Sequence, residues 1–143
     1  MPFLNPESVS YLAKDTTYKV AKEGKLFQKQ TASNSKQIWE VRHAILKGNL
    51  LFLFKKKLDK TPCYLFLLED CVTELISDEI SGKEFSFQIR FLSSDSCYTF
   101  AADTGEALEE WVSAIATCSF EQLQLKLESM KETIVKKHEK AVL

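Results

Sequence analysis

The spacing of hydrophobic and polar residues predicts short strands over most of the chain. Apolar side chains at 85, 87, 89 and 91 alternate with polar ones, which is the period of a half-buried strand. Weaker alternation or short apolar runs predict six more strands, at residues 24–29, 38–46, 50–54, 64–68, 72–76 and 97–101. Turn-forming residues separate them, including Gly48-Asn49 and Gly82 in the acidic loop 77–83.

After the last strand the pattern changes to a helical period. Four apolar residues follow the i, i+3, i+4, i+7 spacing of one helix face, namely Leu108, Trp111, Val112 and Ile115. The Thr104 hydroxyl is placed to cap the N-terminus of this helix. The sequence therefore predicts a mainly β fold with α, a seven-stranded antiparallel half-barrel capped by the helix. Its predicted core includes Trp111, Leu108, Ile115, Phe85 and Phe87.

Three segments are predicted along the chain. Residues 1–19 form an N-terminal extension with a short helix at 5–14, residues 20–118 form the domain, and residues 119–143 form an amphipathic helical extension. In this extension, apolar residues step by 3, 4, 3 and 4, the spacing of a coiled-coil seam; they are Phe120, Leu123, Leu127, Met130 and Ile134. The seam either pairs with a second copy or partner, or folds back on its own domain.

Charge divides the domain although the net charge of the chain is −1. Residues 19–60 carry eleven Lys/Arg and three Asp/Glu, a net of +8, whereas residues 61–118 carry two and eleven, a net of −9. Such a molecule orients toward an anionic surface if the two regions lie apart.

Composition and the cysteines favour an intracellular protein. A chain of 143 residues is long enough for one domain with its own core. Its four cysteines show no CxxC spacing, which favours reduced thiols over a disulfide framework. No apolar run approaches the roughly 20 residues that span a bilayer, and the N-terminus does not resemble a signal peptide. We therefore expect a cytoplasmic protein.

The sequence gives little support to a catalytic function or to nucleic-acid binding. The four glycines stand alone at turns, and His43 and His138 are the two imidazoles, far apart in sequence. No His/Cys/Asp spacing matches a metal site, so we expect no enzyme activity, no cofactor and no metal. The basic stretch lacks interleaved exposed aromatics, which disfavours nucleic acid as a partner.

Several motifs in order resemble a pleckstrin homology (PH) domain over roughly residues 20–118. They are Gly24 entering the first strand, Trp39, Arg42 and Ile45-Leu46 in the second, Leu50 and Phe54 in the third, and Trp111 in the closing helix. The resemblance implies a PH fold that binds phosphoinositide headgroups or proteins.

Further segments resemble the sesquipedalian family of endosomal adaptors. They are Ile45 to Phe52, Leu68 to Leu75, Ser119-Phe120, and Leu4-Asn5 with Ser8-Val9 and Tyr11. This resemblance implies a role in endosome-to-Golgi and receptor-recycling traffic, self-association, and binding of an inositol polyphosphate 5-phosphatase through a C-terminal Phe/His helical motif. That motif is not recognisable here, because Phe120 and His138 are too far apart.

The expected lipid site departs from the pattern of phosphoinositide-binding PH domains, which have a lysine late in the first strand and basic-x-Arg in the second. Here Gln28 takes the lysine position and Glu40 precedes Arg42. Each change removes about 1 kcal/mol or more of phosphate binding. We therefore expect weak, poorly selective binding to anionic phosphoinositide membranes. The residues that would drive it are Lys25, Lys29, Lys36, Arg42, Lys55, Lys56 and Lys57.

Together these features predict a non-catalytic membrane-trafficking adaptor, peripheral on endosome or trans-Golgi membranes, whose terminal helix supplies a second contact. Two readings compete with it. The lysines could be an ordinary solvated face, or the fold could be a protein-interaction module that ignores lipid.

Overall fold

The structure, a computed structural model, describes residues 19–142, and the side chains at 122, 123, 126 and 133–142 lie outside that description. The predicted helix at 5–14 also lies outside it. The described strands are β1 Val20–Thr31, β2 Gln37–Lys47, β3 Leu50–Phe54, β4 Tyr64–Leu67, β5 Cys71–Ile76, β6 Ser86–Phe91 and β7 Ser96–Ala101. Helix α1 spans Asp78–Ser81, and helix α2 spans Gly105–Val142.

The strands form one seven-stranded sheet in the order β4-β3-β2-β1-β7-β6-β5. Every pairing is antiparallel. Strand β1 pairs along its length with β2 and, at Phe27 and Gln28, with the end of β7. It therefore joins the two halves of the sheet, and the predicted seven-stranded fold with a capping helix is confirmed.

Alternating side chains of the sheet build the core. In β2, Arg42, Ala44 and Leu46 are buried, and in β3, Leu51 and Leu53 point to the same inner side. The core cluster comprises Leu26, Ala44, Leu46, Leu51, Leu53, Phe66, Leu68, Phe87, Ile89, Phe100, Trp111, Ile115 and Cys118. Burial of these apolar side chains away from water is the main force that stabilises the fold.

Helix α2 closes the core from one side and then continues past it. The Thr104 hydroxyl accepts a hydrogen bond from the Ala107 N–H at 3.1 Å, which confirms the predicted N-cap. Trp111 and Ile115 are buried and Leu108 packs against the core cluster. The helix runs without a break through the predicted domain boundary between Cys118 and Ser119.

The connection between β5 and β6 differs from the prediction. Phe85 was expected in a half-buried strand and in the core, but it is 38% exposed and has a left-handed backbone, with φ of 56°. The strand begins one residue later, at Ser86. The preceding acidic loop contains the single-turn helix α1, which ends at Gly82 with φ of 84°, a conformation that glycine adopts without strain. The reversal of the chain there turns Phe85 outward.

All four cysteines are free thiols. Cys118 is buried, Cys63 and Cys71 are half-buried, and Cys97 is exposed. Burial raises the pKa of the Cys63, Cys71 and Cys118 thiols, because desolvation penalises the thiolate. Among the described residues, no helix is both long and apolar enough to cross a membrane.

Candidate functional site

Arg42 is buried inside the sheet and is bound to internal partners. It is 7% exposed, and its Nε donates to Gln28 Oε1 at 2.9 Å. Its Nη1 donates to the Val41 carbonyl at 3.3 Å, and its guanidinium lies 5.9 Å from the centre of the Tyr64 ring. These contacts use Nε and one N–H of Nη1, so a phosphate group could reach only the remaining N–H groups of a guanidinium that is 7% exposed.

The side chains that contact Arg42 are uncharged, and Lys55 is a second cation nearby: burial raises the pKa of the Cys63 thiol, while Arg42 and Lys55 both oppose that rise. Gln28 is buried, and Gln30 and Tyr64 exchange hydrogen bonds of 3.1 and 3.2 Å. Glu40 lies directly opposite Gln28 in the β1–β2 register and two residues from Arg42, so it belongs to the same face of β2. This face of the β1–β2 hairpin therefore combines the guanidinium of Arg42, which is already hydrogen-bonded, with the carboxylate of Glu40.

Lys25 and Lys29 lie on the opposite face of β1. The Lys25 ammonium is 3.5 Å from Asp103 Oδ2 and 4.7 Å from the centre of the Phe27 ring. The Lys29 ammonium donates to the Ser81 carbonyl at 2.9 Å, and Lys83 lies 4.1 Å from the same Phe27 ring. The structure thus does not bring Lys25 and Lys29 together with Arg42.

The alternation of side chains along each strand was the sequence signal that separates Lys25 and Lys29 from Arg42. Gln28 is two residues from buried Leu26, whereas Lys25 and Lys29 are an odd number of residues away from it. Arg42 shares the parity of buried Ala44. Sequence reasoning also missed Lys83, which is distant in sequence but contacts β1 through the β5–β6 connection.

The other predicted lysines lie in two loops. Lys36 is in the β1–β2 loop, and Lys55, Lys56 and Lys57 are in the β3–β4 loop, all exposed. Because neighbouring strands are antiparallel, both loops leave the same end of the sheet. Within the described residues, none of these four lysines forms an ion pair, so their charge remains available to a ligand.

The β3–β4 loop is an ordered turn with an apolar tip. The Lys56 N–H donates to Asp59 Oδ2, and the Asp59 N–H donates to the Lys56 carbonyl, both at 3.1 Å. Between them, Leu58 is 91% exposed. The sequence analysis missed Leu58 as a site residue, although a single apolar residue among the lysines of a loop could have indicated it.

Part of the charge asymmetry is cancelled where β1 meets α2. Lys22 forms an ion pair of 2.8 Å with Glu110, and Lys25 lies near Asp103. Lys22 and Lys25 of β1 are therefore partly neutralised, whereas the four lysines of the two loops form no ion pair within the described residues. Of the lysines predicted to bind lipid, Lys36 and Lys55 to Lys57 lie in loops at one end of the sheet, whereas Lys25 and Lys29 lie on β1.

Two cavities lie away from the lysine loops. One, of about 380 Å³, is lined by aromatic rings and serines with Glu69 and Asp70, and these carboxylates disfavour an anionic ligand. The other, of about 320 Å³, lies between β5 and α2 and is lined in part by Val72, Ile115 and Phe120. The described residues contain no cluster of three or more His, Cys, Asp or Glu side chains that could hold a metal ion.

The predicted seam on α2 is only partly described. Phe120, Leu127 and Met130 are exposed, as is Leu125 beside the seam. The side chains of Leu123 and Ile134 lie outside the description. Three seam residues thus present apolar surface on the part of α2 that extends beyond the core.

Comparison with known proteins supplies the family context. The PH domain family model matches residues 20–120. Human Sesquipedalian-1 is 32% identical over 94 residues, 65% of this chain and 36% of that protein. Mouse Sesquipedalian-2 is 35% identical over 91 residues, 63% of this chain and 35% of that protein. The match thus spans about a third of the length of these relatives.

Solved structures show the same fold. The PH domain of human pleckstrin homology domain-containing protein family A member 5 has a TM-score of 0.63 at 19% identity, covering 75% of this chain and 82% of that one. The C-terminal PH domain of pleckstrin, in complex with D-myo-Ins(1,2,3,5,6)P5, has a TM-score of 0.61 at 25% identity, covering 72% and 98%.

Proposed function

The chain belongs to the PH domain family, and we propose that it is a non-catalytic adaptor that binds anionic, phosphoinositide-containing membranes weakly and with little headgroup selectivity. The observation that carries this proposal is the β3–β4 loop, in which Lys55, Lys56 and Lys57 are exposed and free of ion pairs within the described residues. Lys36 leaves the same end of the sheet and adds to the positive surface.

The weak selectivity for individual headgroups follows from the internal hydrogen bonds and the burial of Arg42. A selective pocket needs several cations held around one headgroup, because charge-assisted hydrogen bonds supply both strength and geometry. Here the guanidinium is bound to Gln28 and packed near Tyr64, and Glu40 lies on the same face. Recognition of individual ring phosphates is therefore poor, and the loop lysines act mainly through the surface potential.

The β3–β4 loop suits a lipid surface in both charge and polarity. Each lysine near an anionic membrane contributes about 1 kcal/mol, so three or four give measurable but weak attachment. The exposed Leu58 side chain can enter the boundary between headgroups and acyl chains while its lysine neighbours stay with the headgroups.

Helix α2 would provide the second contact. Its exposed apolar residues fit pairing with a second copy or with a partner protein, and two weak contacts together bind more firmly than either alone. The relationship to sesquipedalians supports a place in endosome and trans-Golgi traffic and receptor recycling, in the cytoplasm and peripheral to the membrane. An inositol polyphosphate 5-phosphatase is a candidate partner on the same grounds.

Charge reversal in the β3–β4 loop tests the proposal. We expect the triple variant Lys55→Glu, Lys56→Glu, Lys57→Glu to lose sedimentation with vesicles that contain phosphoinositide. Wild-type binding should rise with phosphoinositide content, differ little between headgroups, and fall as salt screens the charges. Sub-micromolar binding to one headgroup would contradict the weak, unselective surface, and no binding at any content would contradict membrane binding.

The matched control is Lys19→Glu, Lys47→Glu, Lys83→Glu, at the opposite end of the β1–β2 pair and in the β5–β6 connection. It changes the net charge by the same amount but leaves the loop intact. Equal loss of binding in both variants would mean that net charge, rather than the loop, governs attachment.

A protein-interaction module that ignores lipid is the second candidate. The cavity of about 320 Å³ between β5 and α2 favours it, because Phe120 at its rim is exposed and could receive an apolar side chain of a partner. In this case membrane recruitment in cells should persist in the Lys55 to Lys57 reversal variant.

A further inference from the structure

Strand β5 lies at one edge of the sheet, and among the described strands it pairs with β6 alone. The Leu92 N–H donates to the Asp70 carbonyl at 2.8 Å, and the Ser86 hydroxyl donates to the Ile76 carbonyl at 3.1 Å. The backbone groups at even-numbered positions of this segment therefore face β6. Because the direction of these groups alternates along an antiparallel strand, those of Thr73 and Leu75 point to the free edge.

A cavity of about 320 Å³ lies between this edge and α2. Thr73 lies opposite Ile89, a residue of the core cluster, so its side chain is on the inner face of the sheet, toward α2. A residue directly opposite Thr73 on an added strand would place its side chain on the same face. The cavity that would receive this side chain is lined by Cys71, Val72, Thr73, Ile115, Ala116, Ser119 and Phe120.

Exposed carboxylates surround the edge and its cavity. They lie in the turn before β5, in helix α1 after it, and on α2 next to Phe120. These residues are Glu69, Asp70, Asp78, Glu79 and Glu121. A bound segment with lysine or arginine on either side of an apolar residue would complement this charge.

We propose that β5 accepts an extended basic segment of a partner protein as an additional strand, with one apolar side chain of that segment in the cavity. Main-chain hydrogen bonds to Thr73 and Leu75 supply affinity, and the cavity and the carboxylates supply specificity. The inference rests on the protein-interaction candidate above, since it uses the same cavity, and it is independent of lipid binding by the loops.

The test uses a synthetic peptide with alternating apolar and polar residues and basic ends, Lys-Thr-Val-Thr-Leu-Thr-Lys. In hydrogen exchange measured by NMR, the peptide should slow the exchange of the Thr73 and Leu75 amides several-fold. The amides of Val72 and Glu74, which face β6, should change little, as should those of β4, the other edge strand. Equal slowing at all four β5 amides, or slowing in β4 instead, would overturn the proposal.

Two control peptides carry N-methyl groups on one or the other set of alternate backbone amides. One set faces β5 in an added strand and the other faces solvent, so we expect only one of the two peptides to lose binding. If both bind as well as the parent peptide, the cavity captures a side chain without strand addition; the protein-interaction function then stands and this inference falls.

A further control replaces both lysines of the peptide with glutamate. This peptide should bind several-fold more weakly, because its ends would lie near the carboxylates around β5. Equal binding of the lysine and glutamate peptides would overturn the assignment of a basic partner.

A pair of protein variants provides an independent readout. Leu75→Pro removes one free-edge N–H at a position that is 69% exposed, where an edge strand tolerates proline, whereas Leu75→Ala keeps this N–H. Leu75→Pro should lose peptide binding and Leu75→Ala should retain it. Peptide binding by Leu75→Pro equal to that of the wild type would contradict strand addition.

Vesicle sedimentation of the same two variants separates this inference from the membrane proposal. Both variants should sediment with phosphoinositide vesicles as the wild type does, because the loop lysines are intact. Slow exchange of Thr73 and Leu75 that increases with protein concentration in the absence of peptide would assign the edge to a second copy and overturn the inference.

Discussion

Trp111 joins the helix to the sheet through one large buried side chain. It belongs to the core cluster, and the Lys22 ammonium lies 5.3 Å from its ring centre while pairing with Glu110. The ring therefore packs between α2 and the start of β1, and the Lys22 ammonium lies over its face.

We expect Trp111→Ala to lower the free energy of unfolding by about 3–5 kcal/mol, because it removes buried contacts and leaves a cavity. Urea unfolding followed by circular dichroism measures the loss. Val41→Ala, at an exposed position of β2, should cost less than about 0.5 kcal/mol. Comparable losses in the two variants would contradict the role of Trp111 as a core residue.

Glu40 is the residue whose replacement should most improve phosphate binding. A cation at position 40 would lie on the face of β2 that holds Arg42, where phosphoinositide-binding PH domains have a base. We expect Glu40→Lys to tighten binding to phosphoinositide vesicles about tenfold, which corresponds to roughly 1.4 kcal/mol. Vesicle sedimentation over a concentration series measures the change.

The control for this effect is Glu69→Lys, in the turn between β4 and β5. It gives the same change in net charge at a position away from Arg42. If Glu69→Lys improves binding as much as Glu40→Lys, the face of the β1–β2 hairpin that carries Arg42 and position 40 is not a phosphate site.

At the scale of the element, α2 combines a buried and an exposed part. Its first turns bury Trp111, Ile115 and Cys118, whereas Leu127 and Met130 farther along are exposed. No turn or break separates the two parts, so a partner bound to the exposed part would be held in a fixed orientation to the sheet. This rigid link distinguishes the helix from a flexible tail.

We expect α2 to mediate self-association of this 143-residue chain. Met130→Asp should shift multi-angle light scattering at high concentration toward the monomer mass, because a carboxylate in an apolar seam is costly to bury. Gln124→Asp, off the seam, should leave the mass unchanged. A wild-type chain that is monomeric at high concentration would contradict self-association.

At the scale of the whole molecule, the fold pairs some lysines with acidic residues and leaves others exposed in loops. Ion pairs between β1 and the region of α2 neutralise some lysines, and the two loops at one end of the sheet keep theirs. Solvent exposure differs among the thiols as well: Cys118 is buried, Cys63 and Cys71 are half-buried, and Cys97 is exposed.

Stability should fall as the pH rises above the ordinary thiol pKa of about 8.5. Burial raises the pKa of Cys118 in the folded state, so the folded protein holds this proton more tightly than the unfolded chain. The resulting stability is present below the unfolded pKa and is lost as pH rises through the folded value. Urea midpoints from pH 7 to 10, under reducing conditions, should decline less steeply for Cys118→Ser than for Cys97→Ser. Identical slopes would contradict this coupling.

The sequence by itself determined the elements and the family of this protein. Alternation located the strands to within a few residues, and helical spacing with Thr104 located the start of α2, because periodicity and capping depend on near neighbours in the chain. The start of β1 was missed, since residues 20–23 alternate too weakly to indicate a strand, although they pair with β2.

Only the tertiary structure decided which cations can act together. Arg42 is bound to Gln28, 14 residues earlier, and Lys29 to Ser81, 52 residues later, and no local pattern specifies such partners. The outward turn of Phe85 likewise accompanies a distant contact, since its carbonyl accepts a hydrogen bond from the Ala102 N–H. Contacts between remote residues fix these partners, whereas the alternation along β1 already places Lys25 and Lys29 on the face opposite Gln28.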